Sequence, residues 1–192
     1  MPFVLNNADD TMELGRMLAE AMTASPVRAL YLYADLGGGK TTLTRGFVSA
    51  LPGGERAEVA SPSFTLCNVY PTQPEILHAD LYRLSEGASM PEEMEEMLEE
   101  GNALLVLEWP EYLAPQYRDA ERLEVRLAHA ERITEKSEEI PEKVEPLKTL
   151  DNACESCNSF RLATLEAHGA AAQILLDALL PRLKRRFLPE QS

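Results

Sequence analysis

The chain has 192 residues, 45% of them hydrophobic, enough to bury one core, so a single domain across residues 1–192 is expected. A formal net charge of −14 argues against direct gripping of nucleic acid, because phosphate contacts need clustered Lys and Arg; any link to RNA then passes through a partner. No apolar run approaches the roughly 20 residues that span a bilayer, and the N-terminus lacks a signal-peptide pattern, so the expectation is a cytoplasmic protein without a membrane. There, Cys67, Cys154 and Cys157 stay reduced.

Phe3-Val4-Leu5 reads as an edge strand, and Asn6, Asn7 and Asp9 offer N-caps for a helix carrying Met12, Leu14, Met17, Leu18, Ala21 and Met22. Its methionine stripe reads as core packing; a nucleotide-base contact near Thr11 is a second reading. Ser25-Pro26 ends that helix. The apolar run that follows, Tyr31-Leu32-Tyr33, breaks into Ala34-Asp35-Leu36-Gly37-Gly38-Gly39-Lys40-Thr41-Thr42 and then into the helical pattern of Leu43 to Val48. This is a phosphate-binding loop in a strand–loop–helix setting. The glycines let N–H groups turn inward around phosphate oxygens, and the helix N-terminus adds partial positive charge. Lys40 reaches the terminal phosphates, and the Thr41 hydroxyl can ligate Mg²⁺. Ala34 stands where the motif G-x-x-x-x-G-K-[ST] has its first glycine, a strand-end position where a small side chain suffices.

Beyond the Pro52-Gly53-Gly54 break, Val59 to Leu66 leads into an extended run to Tyr70. Its hydroxyl-bearing stretch either senses a terminal phosphate or simply turns into a strand. Ile76 to Asp80 reads as a strand with Asp80 at its carboxyl end, where open α/β sheets hold ligands; the carboxylate is a group for Mg²⁺ or water, or else a helix cap. Pro91 to Gly101 is an acidic helix with a solvated glutamate face, or one that meets a basic partner. Ala103-Leu104-Leu105-Val106-Leu107 is a strand buried on both faces, and packing does not explain a carboxylate at its end. Glu108 therefore reads as the second acidic group of a nucleotide hydrolase, completing a Mg²⁺ shell or orienting water. Trp109 shields that site, contacts a partner, or is simply half-buried.

Leu123, Val125 and Leu127 alternate as a strand, and the pattern returns at Phe160 to Leu165. Between them, at about 130–158, a Glu-, Lys- and Pro-rich stretch reads as a mobile insertion. Cys154 and Cys157 within it supply only two ligands, with His129 and His168 the nearby candidates to complete a zinc site, so two idle thiols is the better reading. A helix from Ala170 to Phe187 closes the chain, with Lys184, Arg185 and Arg186 suiting the dipole at its C-terminus.

Taken in series, Thr11-x-x-Leu14-Gly15, Asp35 to Thr42 with Arg45-Gly46, Ser61-Pro62-Ser63-Phe64-Thr65-Leu66, His78-Ala79-Asp80-Leu81-Tyr82-Arg83 and Leu107-Glu108-Trp109-Pro110 resemble the TsaE (YjeE) family of small bacterial ATPases. The match covers about the first 130 residues and continues more weakly from Arg161 through the last helix. The resemblance implies a role in synthesis of N6-threonylcarbamoyladenosine (t6A), the tRNA modification beside the anticodon. It also implies an ATPase that joins the TsaD–TsaB pair, with tRNA met only through those partners, and whose hydrolysis resets the complex between turnovers. Carried over by position, Gly37, Gly38, Gly39, Lys40, Thr41 and Thr42 hold ATP, with Thr11 and Arg161 near the nucleotide. Thr41, Glu108 and Asp80 serve Mg²⁺; Glu108, Asp80 and Lys40 carry catalysis; Ser63 and Thr65 lie in the nucleotide-responsive segment. The family pattern has Gly where Ala34 stands and often Ala where Gly38 stands, and the insertion is a further departure.

Two rivals share the loop. A small-molecule kinase would carry an arginine-bearing lid over the phosphates, whereas the late insertion here is mostly acidic. A nucleotide-gated adaptor without significant hydrolysis would not call for Glu108 at a strand end. The fold implied is α/β, a P-loop NTPase-like three-layer sandwich with a largely parallel central sheet and antiparallel C-terminal strands. An ATP–Mg²⁺ site would sit at the carboxyl ends of its strands.

Overall fold

Side chains alternate between the two faces of the central strands, and that alternation decides which of them meet which layer. The structure, a computed structural model, describes residues 1–90, 92–99, 103–130 and 160–188. In chain order it contains β1 (Phe3–Leu5), α1 (Ala8–Thr23), β2 (Ala29–Tyr33), α2 (Lys40–Ser49), β3 (Cys67–Tyr70), β4 (Ile76–Asp80), α3 (Glu92–Glu99), β5 (Leu104–Glu108), β6 (Arg122–Ala130), β7 (Phe160–His168) and α4 (Ala170–Phe187). The strands form one seven-stranded sheet in the order β1-β7-β6-β2-β5-β4-β3.

β6, β2, β5 and β4 run parallel, which buries both faces of the centre; all five residues of β4 and of β5 are buried. On one face Leu30 and Leu32 of β2, Val106 of β5 and Ile76 of β4 pack with Leu14 and Leu18 of α1, Leu43 and Phe47 of α2, and Leu179 and Leu183 of α4. On the other, Tyr31, Leu77, Ala79, Leu105 and Leu107 pack with Met90, Met94 of α3 and Leu113. The result is the α/β sandwich expected, mostly parallel at its centre.

Local chemistry starts the helices. The Asn7 side chain accepts from the Asp10 N–H at 2.8 Å and caps α1. The first turn of α4 is held by a side chain from far up the chain, as the Glu121 carboxylate accepts from the N–H groups of Ala170, Ala171 and Ala172 at 2.9–3.1 Å.

β7 is antiparallel to β6, as expected near the C-terminus, and β1 is an edge strand beside β7. β3 is a second antiparallel strand at the opposite edge, against β4, and the periodicity did not indicate its direction. The extended run expected after Val59 to Leu66 is β3, Cys67–Tyr70. The Pro62 carbonyl takes the N–H groups of Thr65 and Leu66 at 3.0 and 2.7 Å, and Leu66 adopts φ 67°, so the hydroxyl-bearing stretch is a turn. From residue 131 on, the expected insertion lies outside the described residues, as do Cys154 and Cys157. Among the described residues no helix is long and apolar enough to cross a membrane.

Candidate functional site

β2 ends at Tyr33, and the chain turns through the glycines into α2 at Lys40. The Gly38 N–H donates to the Asp35 carbonyl at 3.0 Å, while Gly37 and Gly39 hold φ of +74° and +104°, a region that only glycine enters freely. Gly39 is the N-cap of α2, so the loop delivers the positive end of that helix to the carboxyl end of the sheet. Lys40 is 5% exposed, and its ammonium donates to the Ala34 and Asp35 carbonyls at 2.6 and 3.1 Å and lies 3.9 Å from the centre of the Trp109 ring. Burial pushes its pKa below the ordinary lysine value, against the upward pull of the carboxylates led by Glu108 and Asp80. Trp109 holds its ring there at the cost of a left-handed backbone (φ 59°), and Tyr82 and Tyr112 support it at 4.9 and 6.3 Å.

The alternation of the strands aims the acidic groups. Ile76 of β4 and Val106 of β5 belong to the α2 face, so His78 and Asp80, and likewise Glu108, follow on that face two and four residues further along. Asp80 pairs in register with Glu108. Both are buried, at 3% and 2% exposure. Glu108 Oε1 accepts from the Thr41 hydroxyl at 3.2 Å and lies 2.9 Å from His78 Nε2. Asp80 Oδ2 accepts from the hydroxyls of Ser61 and Ser63 at 3.0 and 2.7 Å, and Oδ1 accepts from the Tyr82 N–H at 3.0 Å. Asp80 thus caps the turn after β4 and holds the serine segment with the same carboxylate. Thr41, Asp80 and Glu108 present oxygen alone, and the nearest imidazole, His78, is engaged on Glu108; this donor set fits Mg²⁺ rather than a thiophilic metal.

These groups share one cleft of about 250 Å³, lined by Leu36, Gly37 to Thr42, Ser61, Ser63, Asp80, Glu108 and Trp109. Arg161 reaches the loop from β7: its Nε donates to the Gly38 carbonyl at 3.1 Å and passes beside Gly39. Thr11 is outside the group. It is fully buried in α1, and its hydroxyl donates to the Asn7 carbonyl at 3.1 Å, so the hydroxyl serves the helix start. Thr65 also faces away, donating to Asn68 Oδ1 at 3.1 Å. Sequence alone assigns His78 no role of its own, and its two-residue spacing from Asp80 on a strand is the available signal; Ser61 enters as part of the hydroxyl-bearing stretch. The other buried carboxylate in the sheet, Glu124, is engaged by Arg122 and Arg126 at 2.9 and 3.0 Å and is structural.

Fold and cleft together define an α/β protein with a glycine loop and paired strand-end carboxylates facing one helix N-terminus. A family model described as "Threonylcarbamoyl adenosine biosynthesis protein TsaE" matches residues 5–138, and the chain belongs to the TsaE family. A Streptomyces coelicolor protein named tRNA threonylcarbamoyladenosine biosynthesis protein TsaE is 36% identical over 121 residues, 62% of this chain and 78% of that one. A Nostoc protein of the same name is 33% identical over 142 residues, 71% and 83% of the two chains. The crystal structure of Bacillus subtilis YdiB superposes with a TM-score of 0.61 over 95% of each chain at 22% identity, which supports the fold.

Proposed function

We propose that the protein binds ATP with Mg²⁺ in this cleft and hydrolyses it as an accessory of tRNA t6A biosynthesis, acting in the cytoplasm with TsaD and TsaB. The observation that carries the reading is the convergence of Thr41 and Glu108, 3.2 Å apart, on a glycine loop whose lysine is already buried and oriented. The loop N–H groups and the α2 N-terminus bind the phosphates, and Lys40 exchanges its two carbonyl partners for phosphate oxygens. Thr41, Glu108 and Asp80 would hold Mg²⁺, which when bound neutralises phosphate charge and orients the groups around it. Asp80 also ties Ser61 and Ser63 to the cleft, so the serine segment responds to what Asp80 binds. Arg161 steadies the loop from β7. The −14 charge suits a helper that leaves tRNA to its partners.

Phosphate release from Mg²⁺–ATP by the protein alone, then with the TsaD–TsaB pair, tests the reading, with a panel of metabolite hydroxyls as control. Stimulation by the pair is expected, because phosphoryl-transfer sites are often completed in trans. ATP consumption that follows a metabolite and ignores the pair would mean a kinase. Lys40→Ala is expected to abolish ATP binding, and Glu108→Ala to keep most of the binding while lowering turnover by roughly 10² or more. Retained hydrolysis in either variant removes that residue from the site.

A further inference from the structure

A buried polar chain runs behind Glu108 through His78 to Tyr70. His78 is fully buried on β4. Its Nε2 lies 2.9 Å from Glu108 Oε1, and its Nδ1 lies 3.4 Å from the Tyr70 hydroxyl, which comes from β3. That hydroxyl has one proton and two acceptors in reach, His78 Nδ1 and the Ala60 carbonyl at 3.2 Å. The Ala60 carbonyl also takes the Asn68 amide at 3.2 Å, so it remains bonded when Tyr70 turns to the imidazole. With the Tyr70 proton on Nδ1, the ring carries its own proton on Nε2, facing a carboxylate oxygen that can only accept. The opposite tautomer would set a bare, fully buried nitrogen against that oxygen.

We propose that His78 is a positioning residue whose Nε2–H donates to Glu108 Oε1 and which, braced at Nδ1 by Tyr70, fixes the rotation of the Glu108 carboxylate. The inference rests on the cleft being the Mg²⁺–ATP site. His78 and Thr41 both donate to Oε1, from behind and from the loop side, and together they set where Oε2 stands. Partners of this kind hold ligating carboxylates in place, and their loss typically costs about 10–100-fold in metal affinity or activity.

The test compares His78→Gln, whose side-chain amide nitrogen can occupy the Nε2 position, with His78→Asn, whose amide can reach only as far as Nδ1. With the TsaD–TsaB pair present, His78→Asn is expected to lower kcat about 10–100-fold with the KM for ATP within about 3-fold of the parent, and His78→Gln to recover most of the loss. Mg²⁺ titrated into the complex with a non-hydrolysable ATP analogue should bind about tenfold more weakly in the Asn variant and near normally in the Gln variant. Nitrogen-15 NMR of the protein labelled at its three histidines reads the tautomer without any turnover. His78 should show a protonated Nε2, and Tyr70→Phe, which removes one hydroxyl, should shift the Nδ1 signal and lower kcat several-fold. Equal losses in the Gln and Asn variants, or an Nε2 without a proton, would overturn the proposal. If the parent protein binds neither Mg²⁺ nor ATP, the site reading itself fails, and the tautomer measurement still reports on His78.

Discussion

Ala34 and Gly38 face each other across the base of the loop, and a Cβ built on Gly38 would stand 2.6 Å from the Ala34 Cβ and 2.9 Å from the Asp35 carbonyl oxygen. Only one methyl group fits between them. The family resemblance implies Gly at the first of these positions and often Ala at the second, so the two departures in this chain read as one exchange of a methyl group between touching positions. Gly38→Ala alone should therefore force the loop apart, costing about 1–3 kcal/mol and weakening ATP binding about tenfold or more. The double variant Ala34→Gly with Gly38→Ala should recover the part of both that the Ala34 methyl causes, the approach to the Asp35 carbonyl remaining, a coupling that a double-mutant cycle on ATP affinity and thermal unfolding measures directly. A double variant no better than Gly38→Ala would refute the steric pairing. The sequence shows two separate departures from a motif; that they touch is a property of the turn, and the strand–loop–helix pattern alone does not carry it. The legible part of the cleft is what chemistry forbids elsewhere: a lysine after three glycines, and a carboxylate ending five buried apolar residues. His78 was not legible, because a lone histidine in an apolar strand has the same pattern whether it packs or donates.

Helices α1 and α2 approach closely enough that their glycines carry the contact. A Cβ on Gly46 would run into the Met12 carbonyl, and one on Gly15 into the Leu43 carbonyl and the Phe47 amide. α1 therefore braces α2, the element whose first two residues are Lys40 and Thr41. The same close approach explains Thr11, which shares the Thr-x-x-Leu-Gly stretch with Gly15 and is buried by the packing that Gly15 permits. Gly46→Ala should cost about 1–3 kcal/mol through backbone displacement and, because α2 moves with the loop, should weaken ATP binding as well. Urea unfolding together with ATP binding checks both, and a loss of stability with unchanged affinity would show that the brace and the loop are independent. At this scale the elements were legible wherever burial is periodic, as in α1, β5 and α4. The direction of β3 was not, since strand partners are chosen by pairing across the sheet; the turn before it was one of two readings, and its positive φ at Leu66 leaves no mark on hydropathy.

The first and last of the described elements meet at one edge of the sheet, where α4 packs on β1 and β7 and Phe187 meets Phe3 edge-on at 6.5 Å. Two ion pairs join α4 to α1. Arg182–Glu20, 47% and 54% exposed, contributes little. Arg186–Asp10 differs on the carboxylate side, which is 8% exposed: Asp10 Oδ1 accepts from Arg186 at 2.7 Å, and Oδ2 accepts from the Asn6 backbone N–H and side-chain amide, each at 3.0 Å. Burial pulls the Asp10 pKa upward, and the Asn6 bonds with the Arg186 charge outweigh it, holding the carboxyl below its ordinary value of 3.8. A carboxylate depressed in the folded state stabilises at every pH above its unfolded value and loses that contribution as pH falls through the folded one. Asp10→Asn should therefore be about 1–2 kcal/mol less stable than the parent at pH 7, with the gap closing below pH 3.8 as the parent's own carboxyl takes up a proton. The difference between the two proteins is the quantity to follow, because acid also neutralises the self-repulsion of a chain at −14, and that effect is common to both and cancels. Urea unfolding of parent and variant at pH 7 and at pH 3 checks it. A gap that persists at pH 3 would mean that Asp10 works by shape and neutral hydrogen bonds, and that charge plays no part in joining α1 to α4.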